Sequence, residues 1–263
     1  MNLRVLFIGD ICARTGREYL SNHLKDIKEE LGAELCIANG ENASHGRGLS
    51  LSAADQLYLS GVDFITMGNH TWGHPDILQY IQDYPIIRPA NFAPDVPGRG
   101  SAVIETPKGP VGILNLQGRV YMDPCDSPFT CGYALAVQLR RSAKMILVDF
   151  HAEATAEKCA LAYYLDGLVS AVIGTHTHVQ TADEHILPQG TAFITDAGMT
   201  GPSGGVIGMD RRHVLDKFIR VMPRRFEPAA GAPQFNGVLI DIDPETGRAV
   251  EIRRITKGGS RCH

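Results

Sequence analysis

The sequence lacks any C-x-x-C motif, although it contains six cysteines. Their spacings are irregular, and a chain of 263 residues can bury a sufficient hydrophobic core without disulfides. A disulfide framework is therefore not expected. We predict reduced thiols, as in a cytoplasmic protein, at Cys12, Cys36, Cys125, Cys131, Cys159 and Cys262.

Long apolar runs and an excess of positive charge are also absent. No run reaches the roughly 18 apolar residues of a membrane-spanning helix, and the N-terminal apolar run is too short for a signal peptide. The formal net charge is −4, so no stable complex with long nucleic acid is expected. A short or single nucleotide is still compatible with this charge.

Short apolar runs alternate with amphipathic segments along most of the chain. Residues 16–31 have helical periodicity and end before Gly32, whereas residues 52–60 begin with Ser52 and Asp55 at capping-box spacing. This alternation predicts an α/β fold in one domain, residues 1–263, with residues 84–132 as an edge or insertion subregion. Five of the predicted strands lead into candidate functional residues, and these strands cover residues 3–8, 35–38, 63–67, 145–150 and 168–173.

Each of these five strands is followed by residues that can bind a metal ion. In open α/β sheets, ligands bind outside the carboxyl ends of the strands, so these loops are expected to meet at one edge of the sheet. The mixture of carboxylates, amides and imidazoles is too large for one ion and suits two transition metals that share a carboxylate. The absence of cysteine disfavours a structural zinc site. The residues are Asp10; Glu41 and Asn42; Asn69 and His70; His151; and His176 and His178.

Each residue alone also has an ordinary structural interpretation. Asp10 could cap the following helix, and His151 could be a hydrogen-bonded core histidine. The pairs after the second and third strands could be turn residues. His176 and His178 would point the same way in an extended backbone, but such a pair can equally be hydrogen-bonded. The repeated placement after strands favours a shared site.

The sequence around these residues resembles the calcineurin-like metallophosphoesterases, and more closely their YmdB-like branch, which contains bacterial 2′,3′-cyclic-nucleotide phosphodiesterases. Residues 148–155 and 195–202 make the match specific, and it extends over about residues 3–255. In place of the wider superfamily's Asp-x-His and Gly-Asp, this chain has Asp10-Ile11-Cys12 and Gly40-Glu41. Both differences are usual in the YmdB-like branch. The matching blocks are Gly9-Asp10, Gly40-Glu41-Asn42, Gly68-Asn69-His70, His151 and Gly174-Thr175-His176-Thr177-His178.

The resemblance implies mixed β-sheets sandwiched between helices and a metal-dependent phosphodiesterase. It implies hydrolysis of 2′,3′-cyclic nucleotides to 3′-monophosphates by a metal-bridging hydroxide. Iron or manganese would be the metals, with zinc as a further option. Glu41 would bridge the two ions, and His70 would stay off both and act as the general acid. One ion would take Asp10, Glu41, Asn42 and His178, and the other Glu41, Asn69, His151 and His176.

The sequence leaves open which group orients His70 and which residues contact the substrate. No acidic residue follows Asn69-His70, so the group that orients His70 is not identified. His45, Arg47, Trp72 and His74 are candidate substrate contacts. A basic group, Arg211, Arg212, Arg224 and Arg225, is more typical of a solvated face than of a binding patch.

Two other functions fit the same residues. The metal centre could serve a phosphatase or nucleotidase, since the ligands do not distinguish monoesters from diesters. The chain could also be a metal-binding regulatory protein, although His70, as an acid off the metals, favours an enzyme. A homo-oligomer is compatible with the sequence.

Overall fold

The computed structural model describes residues 1–259. Within this range, the helices are α1 (Ala13–Leu31), α2 (Leu51–Ser60), α3 (Ile77–Tyr80), α4 (Pro128–Leu139), α5 (Thr155–Tyr164) and α6 (Arg211–Arg220). The strands are β1 (Leu3–Ile8), β2 (Asp10–Ile11), β3 (Leu35–Asn39), β4 (Phe64–Thr66), β5 (Ile86–Ile87), β6 (Ser101–Ile104), β7 (Val111–Gln117), β8 (Met145–His151), β9 (Ala171–Thr175), β10 (His185–Ile186), β11 (Ala192–Ile194), β12 (Met199–Pro202), β13 (Pro233–Ile242) and β14 (Ala249–Gly258).

These strands form two mixed sheets. The first has the order β2-β12-β13-β1-β3-β4-β5, with β14 paired to β13, and the second has the order β10-β11-β9-β8-β7-β6. The pairs β1–β3, β3–β4, β7–β8 and β8–β9 are parallel, whereas β13 runs antiparallel to β1. The loops after β1, β3 and β4 therefore leave one end of the first sheet, and those after β8 and β9 leave one end of the second.

The central strands, such as β1, β3, β8 and β9, are apolar on both faces because they are covered on both sides. In β1, Val5 and Phe7 pack in a cluster that contains residues of both sheets, whereas Leu6 and Ile8 pack with residues of α1 and α2. The outer face of the second sheet packs against α4 and α5. The predicted arrangement of mixed sheets between helices is confirmed.

The helix after β3 begins differently from the sequence prediction. Ser50, and not Ser52, is the N-cap of α2, because the Ser50 hydroxyl accepts a hydrogen bond from the backbone N–H of Ala53. The capping-box assignment of Ser52 and Asp55 is therefore wrong. The glycines expected after α1 and α2 do adopt the left-handed conformation, with φ of 63° at Gly32 and 110° at Gly61.

The region 84–132 contributes to both sheets. Its strand β5 lies at an end of the first sheet and β6 at an end of the second, while β7 pairs with both β6 and β8. The division of the chain into one domain stays a prediction.

In the described residues, no helix is sufficiently long and apolar to cross a membrane. Cys12, Cys36, Cys125, Cys131 and Cys159 are free, as predicted, and Cys262 lies outside the described residues.

Candidate functional site

The predicted metal ligands converge at the end of the sandwich where the two sheets meet. The sequence predicted a single sheet edge, which is wrong, because Asp10 and Glu41 follow strands of the first sheet and His151 ends a strand of the second. Asn39 on β3 donates a hydrogen bond to Asp149 on β8 at 2.9 Å, so the two sheets are joined directly beneath the site.

One group of ligands surrounds His151. Its Nε2 lies 3.2 Å from Oε1 of Glu41, 3.0 Å from Nδ1 of His176 and 3.0 Å from Oδ1 of Asn69. Ligand atoms of Glu41, His151 and His176 all lie within 4.8 Å of one another, which makes the three a candidate metal site. His151 is fully buried.

A second group surrounds Asn42. Its Nδ2 lies 3.1 Å from Nε2 of His178, 3.1 Å from Oε1 of Glu41 and 3.4 Å from Oδ1 of Asp10. In this amide orientation Oδ1 faces His70 instead, at 2.7 Å from Nδ1. His178 is oriented by its other ring nitrogen, since Nδ1 lies 2.9 Å from the carbonyl oxygen of Ile207.

His176 and His178 reach these groups from a strained loop. Strand β9 ends at Thr175, and φ is 103° at His176 and 64° at His178, so the backbone is not extended there and the alternation of an extended strand does not set the directions of the two imidazoles. Positive φ is unfavourable for residues with a Cβ and persists only where surrounding contacts hold it. The backbone N–H of His176 donates to Asp10 at 3.0 Å, which is one such contact.

Burial and mutual contact set the protonation of the first group. Burial alone would raise the pKa of Glu41, but contact with His151 and His70 holds it well below its usual range. Burial lowers the pKa of His151, yet Glu41, Asp10 and Asp149 together raise it to about 9. Burial and then His151 lower the pKa of His176 to about 3, so this imidazole is neutral, the form that binds metals.

The donor set fits a metal centre. Asp10 and Glu41 are fully buried, and no lysine or arginine in residues 1–259 lies within ion-pair distance of either carboxylate. Burial raises the pKa of Asp10, so ionising it requires nearby positive charge. A metal ion supplies such charge and displaces protons from its ligands.

The packing of the site also needs a glycine at position 68, because a Cβ there would lie 2.3 Å from Cδ2 of His151 and 2.4 Å from Oε2 of Glu41.

The contacts that orient His70 come from the ligands themselves. Its Nδ1 lies 2.7 Å from Oδ1 of Asn42 and 3.0 Å from Oε1 of Glu41, and its backbone N–H donates to Glu41 at 2.8 Å. With Nδ1–H donated to these oxygens, Nε2 is the ring nitrogen left for a substrate. The sequence left this orienting group open because the superfamily's acidic residue is missing after His70.

Sequence reasoning also missed the residues that orient His151. Its Nδ1 lies 2.9 Å from Oγ1 of Thr175, which donates to Asp149 at 2.7 Å. Burial raises the pKa of Asp149 to about 6, although His151 and hydrogen bonds from Thr175, Thr66 and Asn39 oppose this rise. A carboxylate inside the apolar strand β8 was the available signal, because an aspartate is rarely buried without partners.

Comparisons with known proteins identify the family of this chain. A 2′,3′-cyclic-nucleotide 2′-phosphodiesterase from Bacillus subtilis (strain 168) is 46% identical over 254 residues, which cover 96% of each chain. Residues 6–255 match the family described as YmdB-like protein. The chain belongs to the YmdB-like family. The membership predicted from the sequence motifs is thus confirmed, and this YmdB-like protein is a phosphoesterase.

Two solved structures have a fold similar to that of this chain. The crystal structure of a novel phosphatase from Mycoplasma pneumoniae is 37% identical, with a TM-score of 0.93 over 98% of this chain and 94% of that one. The NAD nucleotidase of Haemophilus influenzae is only 10% identical, with a TM-score of 0.63 over 97% of this chain and 56% of that one, and shows the fold alone. The calcineurin-like fold predicted from the sequence is confirmed.

The candidate substrate contacts of this YmdB-like protein fall into two cavities. His45, Arg47 and His74 line a cavity of about 940 Å³ together with His70. Trp72 does not, and instead lines a cavity of about 700 Å³ with Asn69. Arg224 and Arg225 are exposed, as expected of a solvated face, and they also line the His70 cavity.

A buried ion pair supports the loop that carries the two histidines. Lys158 on α5 donates to Asp196 at 2.8 Å, and both side chains are fully buried. Asp196 also accepts hydrogen bonds from the backbone N–H and the hydroxyl of Thr177, which lies between His176 and His178. In this YmdB-like protein, the Lys158–Asp196 pair therefore holds the loop that carries His176 and His178 in place.

We expect Lys158→Met to lower the free energy of unfolding by roughly 3–5 kcal/mol, because it leaves the charge of Asp196 buried without its partner. Urea unfolding measures this loss. Lys28→Met is the matched control, since the Lys28–Asp63 pair is partly exposed and worth about 0–1 kcal/mol. Equal losses in the two variants would contradict the role of the buried pair.

Proposed function

We propose that the protein is a dinuclear metal-dependent phosphodiesterase that hydrolyses 2′,3′-cyclic nucleotides to 3′-monophosphates. The observation that carries this proposal is the division of the ligand contacts into two groups that share Glu41. Around His151 lie Glu41, Asn69 and His176, and around Asn42 lie Glu41, Asp10 and His178. These groups correspond to the two ligand sets that the family resemblance implies.

The two groups would hold two transition-metal ions, iron or manganese first and zinc as a further option. Asn42 would bind through Oδ1 only after its amide turns, because Nδ2 faces Asp10 and His178 in this structure. When bound, the two ions would lower the pKa of a water molecule and polarise the phosphoryl oxygens.

The residues of the chain supply the proton transfer. Hydrolysis adds the hydroxyl of water to phosphorus, breaks the bond to the 2′ oxygen and leaves the phosphate on the 3′ oxygen. The departing 2′ oxygen needs a proton, which Nε2 of His70 can donate while Glu41 holds Nδ1. His45, Arg47 and His74 share the cavity of His70 and are proposed to contact substrate there, with Trp72 contacting it from the neighbouring cavity.

The substrate assignment is tested with the four 2′,3′-cyclic nucleotides. We expect 3′-monophosphates from all four, with rates that vary little among the bases, because Trp72 is the single aromatic residue of the motif loops. Chromatography identifies the products. No turnover of any cyclic nucleotide, beside robust hydrolysis of simple monoesters, would assign the site to the phosphatase alternative.

The regulatory alternative is less well supported, because a protein that only binds metal does not need His70. The cytoplasmic location, the absence of a stable nucleic-acid complex and a homo-oligomeric state stay predictions.

A further inference from the structure

The cavity beside His70 carries an excess of positive charge. Arg47, Lys217, Arg224 and Arg225 line it, whereas Glu227 is the one lining carboxylate among the described residues. The chain as a whole has a net charge of −4, so this concentration of cations is a local feature. Cations that line a cavity together raise the local concentration of anions.

Three of these cations have no carboxylate partner among the residues that the structure describes. Arg224 pairs with Asp216 at 2.5 Å, but no carboxylate of residues 1–259 lies within ion-pair distance of Arg47, Lys217 or Arg225. Lys217 lies with Nζ 4.9 Å from the ring centre of Phe226, which holds it on the cavity wall without neutralising it. Unpaired arginine and lysine side chains are suited to bind phosphate.

Hydrogen bonds hold the segment that carries Arg224 and Arg225 in a fixed position relative to the candidate metal ligands. The backbone N–H of Asp210 donates to the carbonyl of Glu227 at 2.8 Å, and that of Ala229 donates to Gly208 at 2.8 Å. The neighbouring carbonyl of Ile207 contacts His178. On the other side, Gly46 packs so closely that an added Cβ would lie 2.8 Å from Cε of Met209.

We propose that this cavity binds a second phosphate of the substrate, carried on the 5′ oxygen of the nucleoside whose 2′,3′-cyclic phosphate is hydrolysed beside His70. This inference rests on the proposed function. In a nucleoside 2′,3′-cyclic phosphate, the 5′ oxygen is the remaining position that carries phosphate in nucleotides and in RNA. The preferred substrate is then a 5′-phosphorylated cyclic nucleotide or the cyclic-phosphate end of a short oligonucleotide.

The test compares three substrates with the same base: the cyclic nucleotide with a free 5′ hydroxyl, its 5′-phosphorylated form, and a dinucleotide that ends in the cyclic phosphate. We expect kcat/KM of the native enzyme to be about tenfold or more higher for the 5′-phosphorylated form than for the 5′-hydroxyl form. Lys217→Gln and Arg225→Gln should each reduce this ratio toward one. The ratio is independent of the fraction of enzyme that is folded.

Arg211→Gln is the control, because Arg211 is exposed on the same helix and does not line the cavity, and it should keep the native ratio. A dinucleotide as good as the 5′-phosphorylated form identifies oligonucleotide ends as substrates, and one as poor as the 5′-hydroxyl form identifies mononucleotides. A native ratio near one, or one unchanged by Lys217→Gln and Arg225→Gln, would overturn the second phosphate site while hydrolysis of cyclic nucleotides stands. No turnover of any of the three would overturn the proposed function and this inference with it.

Discussion

Glu41→Gln is expected to remove both metal ions and to lower kcat/KM by about 10³-fold or more. Glu41 contacts both ligand groups, and its carboxylate lies 3.2 Å from Nε2 of His151 and 3.1 Å from Nδ2 of Asn42. An amide in its place keeps the shape but removes the negative charge that two cations would share. Elemental analysis and cyclic-nucleotide turnover, measured on the same preparation, report the two effects.

Two further variants make this result specific. Asn42→Ala should weaken the binding of one ion and keep the other, because Asn42 belongs to one ligand group. Glu157→Gln removes another buried glutamate, whose carboxylate accepts hydrogen bonds from the backbone of Arg119 and Val120 away from the ligand groups, so it should keep its metal. Retention of both ions in Glu41→Gln would contradict the bridging role.

His70→Ala is expected to keep the metal content and the fold but to lower kcat on cyclic nucleotides by roughly 10²–10⁴-fold. His70 is half-buried, and its Nε2 is free to donate a proton because Nδ1 is held by Glu41. The loss should shrink for a nitrophenyl phosphodiester, whose leaving group departs without a proton.

The two substrates act as controls for each other in the same enzyme preparation. A fall in the fraction of folded enzyme lowers both rates equally, whereas a missing acid lowers the rate for the poorer leaving group more. Equal losses for the two substrates, or a loss of metal from His70→Ala, would contradict the assignment of His70 as the general acid.

The elements that position the site were predictable because their signals are local. The apolar run of β1 ends at Gly9-Asp10, and that of β8 ends at His151, and the other predicted ligands likewise follow the ends of strands closely. Which strands share a sheet is set by packing between distant segments, and this is why one sheet edge was predicted where two sheets meet. Short strands such as β2 and β12 have too few residues for a periodicity.

The finer parts of the site depend on contacts that no local pattern contains. The strained backbone at His176 and His178 is held by Asp10 and by Asp196 through Thr177, which are distant along the chain. The position of Arg225 in the cavity that His70 also lines depends in the same way on how the segment after α6 folds back against residues 208–210. The choice of Ser50 over Ser52 as a helix cap is a shift of two residues, to which the capping pattern alone is insensitive.

The central claim is that two ligand groups share Glu41 and bind two ions, and elemental analysis of the native protein tests it most directly. After growth in metal-replete medium, purified protein should contain about two transition-metal ions per chain, as a bridged pair of sites requires. Iron or manganese is the expected element. A reproducible content of one ion or none per chain would contradict the dinuclear site.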